Sequence, residues 1–322
     1  MRYRPLGRTG IEVSEIGFGA WAIGGGMWGP QDDRTSVVAL RRALELGCTF
    51  IDTALIYGDG HSEKLVAQAL REAHPTRPVA IATKVPPKNR RWPAPRGLPL
   101  EEAYDPAYIE GCLDLSLRNL AAERIDLLQL HVWDEGWAAR DDWYEAMVRL
   151  KERGKIRAIG ISLNALQANS GVAVVELGRV DAVQVVYNIF EQAPQDQLLP
   201  ACGRMGVGVI ARVPFDESSL TGKLTAHTRF AADDFRRHYF RSDRLQQTVE
   251  RVEKLRGLVP RGASTLARLA LRFCLSRTEI SSVIPGIRSA RQAEENCAAS
   301  DEGPLDEGTL AELTLHRWDR TS

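Results

Sequence analysis

Four polar residues stand at or just beyond the ends of apolar runs in the first half of the chain. Asp52 closes TFID, Lys84 closes VAIATK, His131 follows IDLLQL, and Tyr57 comes five residues after Asp52. A tyrosine with its ordinary pKa of about 10 is a poor acid or base at neutral pH, and a nearby ammonium lowers that pKa. A tyrosine beside Lys84 can therefore protonate an alkoxide as it forms at a carbonyl carbon. Asp52 would hold Lys84 charged and in place, and His131 would hydrogen-bond the substrate oxygen.

Each of the four has an ordinary structural interpretation when it is considered alone. Asp52 can cap a helix or join a salt bridge, and Tyr57 can be a packed loop aromatic. Lys84 and His131 can be polar residues that merely end strands. The chemical interpretation depends on the placement of all four along successive apolar runs.

Such residues meet when they follow neighbouring strands of a parallel sheet, and the rest of the chain predicts one. Short apolar runs, typical of strands buried on both faces, alternate with amphipathic segments. The predicted strands are residues 15–19, 49–52, 79–84, 125–130, 156–162, 182–187, 207–211 and 282–284. Eight strand–helix units favour a (β/α)8 TIM barrel over residues 1–322 as a single domain. The pattern leaves a large doubly wound sheet open as the alternative.

Helix ends support this alternation. Asp32 or Asp33 can cap a helix that stops at Gly47, and Asp105 with Pro106 begins another that runs to about Leu120. A further helix starts at Asp141, with Gly154 just past its end.

Three segments interrupt the alternation. The first residues, with Gly7 and Gly10, predict a β-hairpin that closes the bottom of the barrel. Long loops follow strands 3 and 7, at residues 86–105 and 214–262, the second with a helix near residues 244–258. Loops after barrel strands build the active site in this architecture, so both are predicted to be functional.

Composition narrows the class of protein. The chain has 322 residues, 44% of them hydrophobic, and 42 basic residues balance 42 acidic ones. Such a chain is not expected to bind nucleic acid or a membrane surface. We expect a cytoplasmic protein without a signal segment, membrane span or metal site, and its oligomeric state stays open. The cysteines are odd in number and widely spaced, as in a reduced protein: Cys48, Cys112, Cys202, Cys274 and Cys297.

Several strings together resemble the aldo-keto reductase superfamily. FIDTALIYGDGHSEKLVAQAL, at residues 50–70, is similar to its signature, and GFGAW, ATKV, LLQLH and IPGIRSARQAEEN extend the resemblance over nearly the whole chain. It implies a (β/α)8 barrel and an oxidoreductase acting on an aldehyde, ketone or aldose. It also implies a nicotinamide cofactor, with Tyr57 as general acid/base in a tetrad with Asp52, Lys84 and His131.

The resemblance implies contacts with the nicotinamide end of the cofactor. Gly19, Ala20 and Trp21 match the segment beside the ring. Ser162 and Gln184 match residues that bind the carboxamide.

This chain departs from the family at two positions. Leu163 stands directly after Ser162, where the family often has Asn, and Asn164 comes next. Arg212 stands where many members stack a Tyr or Trp on the ring. A guanidinium can also stack on a ring; pairing with an acidic neighbour is the alternative role for Arg212.

The resemblance implies a second group of contacts, with the phosphates and adenine. A cation aimed at the 2′-phosphate favours NADPH over NADH, and Arg288 is placed for it; a solvated position at a helix start is the alternative. The matched residues are Pro214, Leu220, Gly222 and Lys223 in the loop over the pyrophosphate, and Gly286, Arg288, Gln292, Glu295 and Asn296 near the last helix.

Two other functions stay open. Lys84 could form a Schiff base in a lyase, or the barrel could bind cofactor as a regulatory protein with little turnover. Some of four loop tryptophans are expected to line the pocket: Trp28, Trp92, Trp133 and Trp137. The basic third loop, with Lys88, Arg90, Arg91 and Arg96, fits an anionic or polyhydroxylated substrate or a solvated surface.

Overall fold

Parallel strands in chain order form the centre of the computed structural model, which describes residues 1–241, 243–259 and 265–318. The first two strands are a separate antiparallel hairpin, and the other eight make one sheet. The strands are β1 (Tyr3–Pro5), β2 (Glu12–Ser14), β3 (Phe18–Gly19), β4 (Phe50–Asp52), β5 (Ala80–Val85), β6 (Ile125–Leu130), β7 (Ile156–Ser162), β8 (Ala182–Val186), β9 (Gly208–Arg212) and β10 (Ile280–Ile284).

The two edges of the eight-stranded sheet meet. The Gly17 amide donates to the Val283 carbonyl over 2.9 Å, and the Gly19 amide donates to the Pro285 carbonyl over 3.0 Å. A Cβ atom added at Gly19 would lie 2.8 Å from the Pro285 oxygen, so glycine permits this approach. The predicted (β/α)8 barrel is confirmed.

The hairpin closes the bottom of the barrel, as predicted. Its turn brings Gly7 so close that an added Cβ would lie 2.3 Å from the Gly208 amide nitrogen, and Gly7 has a φ of +52°. Apolar side chains of the hairpin complete the inner core of the barrel. That core contains Leu6, Ile11, Val13, Phe50, Ala80, Ala82, Leu127, Ala158, Ala182, Ile210 and Ile284.

Helices surround the sheet, and a larger apolar core fills the space between helices and strands. The helices are α1 (Asp33–Glu45), α2 (His61–Ala73), α3 (Leu100–Ala103), α4 (Pro106–Leu120), α5 (Asp141–Glu152), α6 (Val172–Glu176), α7 (Leu198–Met205), α8 (Arg236–Tyr239), α9 (Arg244–Leu255), α10 (Leu266–Leu275), α11 (Ala290–Asp301) and α12 (Glu307–Thr314). Among the described residues, no helix combines the length and the apolar character that a membrane crossing requires.

The predicted helix ends are confirmed. The Asp32 carboxylate accepts from the Thr35 amide before α1, and the Asp105 carboxylate accepts from the Tyr108 amide before α4. Gly154 follows α5 with a φ of +71°. Each cap satisfies an amide that the first helical turn leaves free, which fixes where the helix begins.

Two predicted strands, 125–130 and 156–162, match the observed bounds. The other six differ by one to three residues, most at the first strand, where only Phe18–Gly19 pairs as a strand. The loop after β9 contains α8 and α9, and the predicted helix there continues through a 3-10 turn at Arg256–Leu258. The end of that predicted loop, residues 260–262, lies outside the described residues, as do residues 319–322.

Candidate active site

The four predicted catalytic residues meet at the carboxyl ends of neighbouring strands. Asp52 ends β4, Lys84 lies near the end of β5, and His131 directly follows β6. Parallel pairing of β4 with β5 and of β5 with β6 aligns these ends. Tyr57 reaches them from the loop between β4 and α2, so the barrel register, rather than the loops, sets most of the site.

Asp52 and Lys84 form a buried ion pair. The Lys84 Nζ lies 2.6 Å from Asp52 Oδ1 and donates to the Thr53 carbonyl over 2.7 Å. The lysine side chain is fully buried, and the aspartate side chain is 3% exposed. Two amides donate to Asp52 Oδ2, Gln184 over 2.7 Å and Gln129 over 3.3 Å. These contacts satisfy both charges, which a buried ion pair needs in order to be stable.

Tyr57 lies directly over this pair. The Lys84 Nζ is 5.1 Å from the centroid of the Tyr57 ring, and the His131 ring is 5.6 Å away, edge to face. Burial raises the pKa of Tyr57, and the charges of Lys84 and Arg212 only partly oppose this. The expected net lowering of the pKa is therefore wrong in direction, because loss of water around the phenol outweighs the nearby cations.

His131 is held in the neutral state. Burial, with the positive charges of Lys84 and Arg212 beside it, lowers the pKa of His131 well below its usual value. Its Nδ1 atom is buried and has no hydrogen-bond partner in the part of the chain that the structure describes. The Trp92 ring stands 5.5 Å from the imidazole. A neutral imidazole without a fixed partner can hydrogen-bond a substrate oxygen.

The loop after β3, residues 24–31, packs against the backbone that carries Tyr57; we call it the mouth loop. A Cβ added at Gly24 would lie 2.9 Å from the carbonyl carbon of Tyr57 and 3.0 Å from its Cβ. An added Cβ at Gly58 would lie 2.0 Å from the Gly24 oxygen. The glycines thus let two loops touch through their backbones, and the contact positions Tyr57.

At the predicted carboxamide site, the side chains are already linked to one another. The Ser162 hydroxyl donates to Gln184 Oε1 over 3.5 Å, and Leu163 is buried. Asn164 does not join them, because its amide donates to the Trp133 carbonyl over 2.8 Å. The Arg212 Nη2 donates to the Leu163 carbonyl over 2.9 Å, while its buried Nε has no partner among the described residues.

The segment predicted to contact the nicotinamide begins at the end of β3. The Ala20 amide donates to the Asp52 carbonyl over 2.9 Å, which ties this segment to the ion pair. The Trp21 ring lies roughly parallel to the Tyr57 ring at 6.2 Å. Gly19 bridges to Gly286 at the other edge of the sheet. The structure therefore brings the segment of Gly19, Ala20 and Trp21 to the same mouth as Tyr57.

The residues predicted to lie over the pyrophosphate differ in exposure. Pro214 and Leu220 are buried, and Lys223 is exposed. The Gly222 carbonyl accepts from Arg256 over 3.1 Å, a contact that fixes the loop to the turn after α9. Only Lys223 of these four presents a charged side chain to solvent.

The residues predicted around the adenosine end gather at the start of α11. Gln292 accepts from the Arg288 amide over 2.7 Å, and Glu295 accepts from the Thr265 hydroxyl over 2.6 Å. Asn296 is 3% exposed, and its Nδ2 has no partner among the residues described. The Arg288 guanidinium donates to the Trp28 and Pro30 carbonyls of the mouth loop, so it is not a purely solvated position.

Two of the four loop tryptophans do not line the site. Trp133 and Trp137 are buried in the outer core, where they donate to the Ser170 and Leu98 carbonyls over 3.0 and 2.7 Å. Their indole nitrogens find partners there, so burial costs little.

Trp28 and Trp92 lie near the mouth. Trp28 packs edge to face on Trp21 at 5.3 Å, and Trp92 is 42% exposed beside His131. The basic loop is partly neutralised, since Lys88 pairs with Asp105 over 2.6 Å.

Three functional contacts have no counterpart in the sequence prediction. Thr53 accepts from Lys84, Gln129 donates to Asp52, and Gln31 contacts Arg288. Gln129 could have been found, because it precedes His131 by two residues and alternation places both on one face of the strand. The Thr53 and Gln31 contacts depend on loop backbone paths that no periodic pattern encodes.

Known proteins resemble this chain over nearly its whole length. The model of the Aldo/keto reductase family matches residues 15–317. An aldo-keto reductase of Bacillus subtilis, YhdN, is 34% identical, with 98% of this chain and 95% of that protein aligned. An NADH-specific methylglyoxal reductase of Escherichia coli is 29% identical over 98% of each protein. The solved structure of a glycerol dehydrogenase from Gluconobacter oxydans, 26% identical, superposes with a TM-score of 0.79 over 99% of this chain and 97% of that one.

Proposed function

The chain belongs to the aldo/keto reductase family, and we propose that it reduces carbonyl groups with NADPH as favoured cofactor and Tyr57 as proton donor. As a family member it is an oxidoreductase that uses a nicotinamide cofactor. The observation that carries the proposal is the buried Lys84–Asp52 pair beneath the Tyr57 ring. The Tyr57 phenol, the Lys84 ammonium and the neutral His131 imidazole lie together there.

The residues around the mouth fit a nicotinamide dinucleotide. Arg212 Nε and Asn296 Nδ2, one beside Tyr57 and one in α11, are buried donors without a partner in the described part of the chain. Buried donors cost free energy unless an acceptor meets them, so a bound molecule that supplies acceptors would stabilise both. Gly286 is exposed, with nothing within 4 Å of an added Cβ. The start of α11, capped by Ser289, is suited to a phosphate.

Tyr57 supplies the proton. A bound nicotinamide cofactor supplies the hydride that the carbonyl carbon receives. Because burial raises its pKa, the phenol is protonated at neutral pH and can donate to the oxygen as negative charge develops there. The Lys84 ammonium then stabilises the phenolate that remains, and Asp52 keeps that ammonium in place. Solvent restores the phenol proton after the alcohol leaves.

His131 orients the carbonyl. Its neutral ring stands 5.6 Å from the Tyr57 ring, so an oxygen between them can accept from both side chains. Because the imidazole stays uncharged, it does not compete with Tyr57 as proton donor. The Trp92 ring restricts the approach to this oxygen from the side of the third loop.

NADPH is proposed as the favoured cofactor because Arg288 and the start of α11 lie together, where a 2′-phosphate can meet a cation. The NADH-specific relative shows that family membership does not decide this point. For the substrate we propose small aldehydes, ketones or aldoses, the chemistry that a Tyr57–His131 pair can polarise.

The lyase alternative gains no support from the geometry. A Schiff base needs a neutral, accessible amine, whereas Lys84 is buried and donates to both Asp52 and Thr53. The regulatory alternative has the same fold but predicts cofactor binding without turnover.

Oxidation of NADPH and NADH by the purified protein against a panel of carbonyl compounds tests the proposed function. The panel includes methylglyoxal, dihydroxyacetone, aldoses and aryl aldehydes. Turnover with any of them, faster with NADPH, is the expected result. Tight NADPH binding without turnover across the panel would favour the regulatory barrel, and failure to bind either nucleotide would overturn the cofactor assignment.

A further inference from the structure

We propose that Gln31 sets how strongly this protein discriminates NADPH from NADH, because Gln31 and its neighbours hold the Arg288 guanidinium on the mouth loop. The inference rests on the proposed cofactor site at the start of α11. It adds a specificity-determining residue from the opposite edge of the sheet, 257 positions away along the chain.

The guanidinium of Arg288 is engaged by three acceptors of the mouth loop. Its Nε donates to Gln31 Oε1 over 2.8 Å, Nη1 donates to the Trp28 carbonyl over 3.1 Å, and Nη2 donates to the Pro30 carbonyl over 2.7 Å. A guanidinium has five N–H donors, so these three bonds leave two for any other partner.

The Gln31 side chain makes two hydrogen bonds to Arg288. While its Oε1 accepts from the guanidinium, its Nε2 donates to the Arg288 carbonyl over 3.2 Å. The same Nε2 donates to the Ser36 hydroxyl over 3.0 Å, and Ser36 in turn donates to the Asp32 carbonyl at the cap of α1. Gln31 is therefore fixed to a helix and presents a preset acceptor, and both residues are half-buried.

Among the described residues, no carboxylate accepts a hydrogen bond from Arg288, and the three acceptors of the mouth loop are neutral. A second cation, Arg236, lies close by, over the Trp28 ring at 4.9 Å and paired with Asp234. Asp234 offsets the charge of Arg236, but Arg288 has only neutral hydrogen-bond partners among the described residues, so its own charge is open to an anion. A phosphate monoester carries a charge of about −1.5 to −2 at neutral pH and binds a guanidinium best through two parallel hydrogen bonds.

These contacts make the 2′-phosphate compete with the mouth loop for Arg288. To bind the Arg288 guanidinium through two parallel hydrogen bonds, the 2′-phosphate of NADPH must displace acceptors of the mouth loop. This displacement reduces the binding free energy that the phosphate contributes. NADH lacks the phosphate and leaves the three bonds in place. The protein is thus expected to bind both nucleotides, with a preference for NADPH smaller than a free arginine would give.

Two substitutions of Gln31 should shift the ratio of NADPH to NADH affinity in opposite directions. Gln31→Ala removes both hydrogen bonds between the Gln31 side chain and Arg288, so the guanidinium can turn to the phosphate. The ratio of NADPH to NADH affinity should then rise about threefold or more. Gln31→Glu places a carboxylate beside Arg288, which pairs with the guanidinium and repels the phosphate. That ratio should fall about tenfold or more, towards preference for NADH.

Equilibrium titration measures this without turnover. Dissociation constants for NADPH and NADH are obtained from quenching of tryptophan fluorescence in the full chain, for the wild type and both Gln31 variants. Gln246 is exposed on α9 and serves as the matched control, with Gln246→Ala and Gln246→Glu expected to leave the ratio unchanged.

Opposite shifts of the affinity ratio in the two Gln31 variants, with an unchanged ratio in both Gln246 variants, would support the inference. An unchanged ratio in both Gln31 variants, with both nucleotides still bound, would overturn it and leave the proposed function intact. Binding of neither nucleotide by the wild type would instead overturn the proposed function and the inference with it.

Discussion

Lys84 and Arg288 are the two cations on which the proposed site depends, and the structure surrounds them differently. Lys84 comes from a barrel strand, is fully buried, and pairs with the charge of Asp52 over 2.6 Å. Arg288 lies just before α11, is half-buried, and donates to two loop carbonyls and an amide. One cation is neutralised within the fold, and the other is held by neutral groups that a ligand can replace.

This difference separates a fixed centre from an exchangeable one. At the catalytic centre the barrel register brings the partners together, and the charges are satisfied before anything binds. At the proposed adenosine end, contacts between Arg288 and the mouth loop decide where the guanidinium points. We therefore expect changes at the centre to cost stability and rate, and changes at the loop end to alter nucleotide choice.

The largest expected difference between the two regions is in stability. Lys84→Met leaves the Asp52 carboxylate buried without its partner, which should lower the free energy of unfolding by about 3–5 kcal/mol. Arg288→Met leaves neutral carbonyls near solvent and should cost about 1 kcal/mol. Urea unfolding of both variants measures this, and equal losses would remove the distinction.

A smaller effect, on kcat, is expected from a substitution in the mouth loop, which packs against Tyr57. Gly24→Ala places a Cβ within 2.9 Å of the Tyr57 carbonyl carbon, so the phenol must move. Steady-state kinetics should show kcat lower by about 10- to 100-fold, since displacements near 1 Å have such effects. The cofactor dissociation constant should change much less.

The matched control for that variant is Gly111→Ala, because Gly111 lies in α4 with nothing within 4 Å of an added Cβ. Its kcat should equal that of the wild type. Normal kcat in Gly24→Ala would show that the mouth loop does not position Tyr57.

How far the site follows from the sequence can be judged from the same two regions. Asp52, Lys84 and His131 lie at or next to the ends of strands whose apolar runs are plain in the sequence, so their meeting could be predicted. The pKa direction of Tyr57 could not, because it depends on how much water the folded loops exclude. Likewise, nothing in the composition distinguishes buried Trp133 and Trp137 from Trp28 and Trp92 near the mouth.

The smallest expected effect is a change in the free energy of unfolding with pH, caused by His131. The pKa of His131 is lowered well below its usual value, so the folded protein keeps this ring neutral while the unfolded chain protonates it below about pH 6.5. The unfolded state then binds more protons, and stability falls as the pH falls. Relative to His131→Asn, the wild type should lose up to about 1.4 kcal/mol per pH unit below pH 6.5.

Unfolding free energies at several pH values between about 5 and 8 measure that loss. Arg288→Met should follow the wild-type curve, because its substitution removes no group that titrates in this range. If His131→Asn lost stability in parallel with the wild type, the neutral buried imidazole would be contradicted.

The central claim is that Tyr57 transfers the proton while other residues bind the cofactor, and Tyr57→Phe tests it most directly. Cofactor binding is followed by fluorescence and NADPH oxidation by rapid mixing, with the best substrate of the panel. Binding should stay within about twofold of the wild type, while the single-turnover rate falls by about 10²–10⁴. A near-normal rate in Tyr57→Phe would contradict the assignment and with it the mechanism.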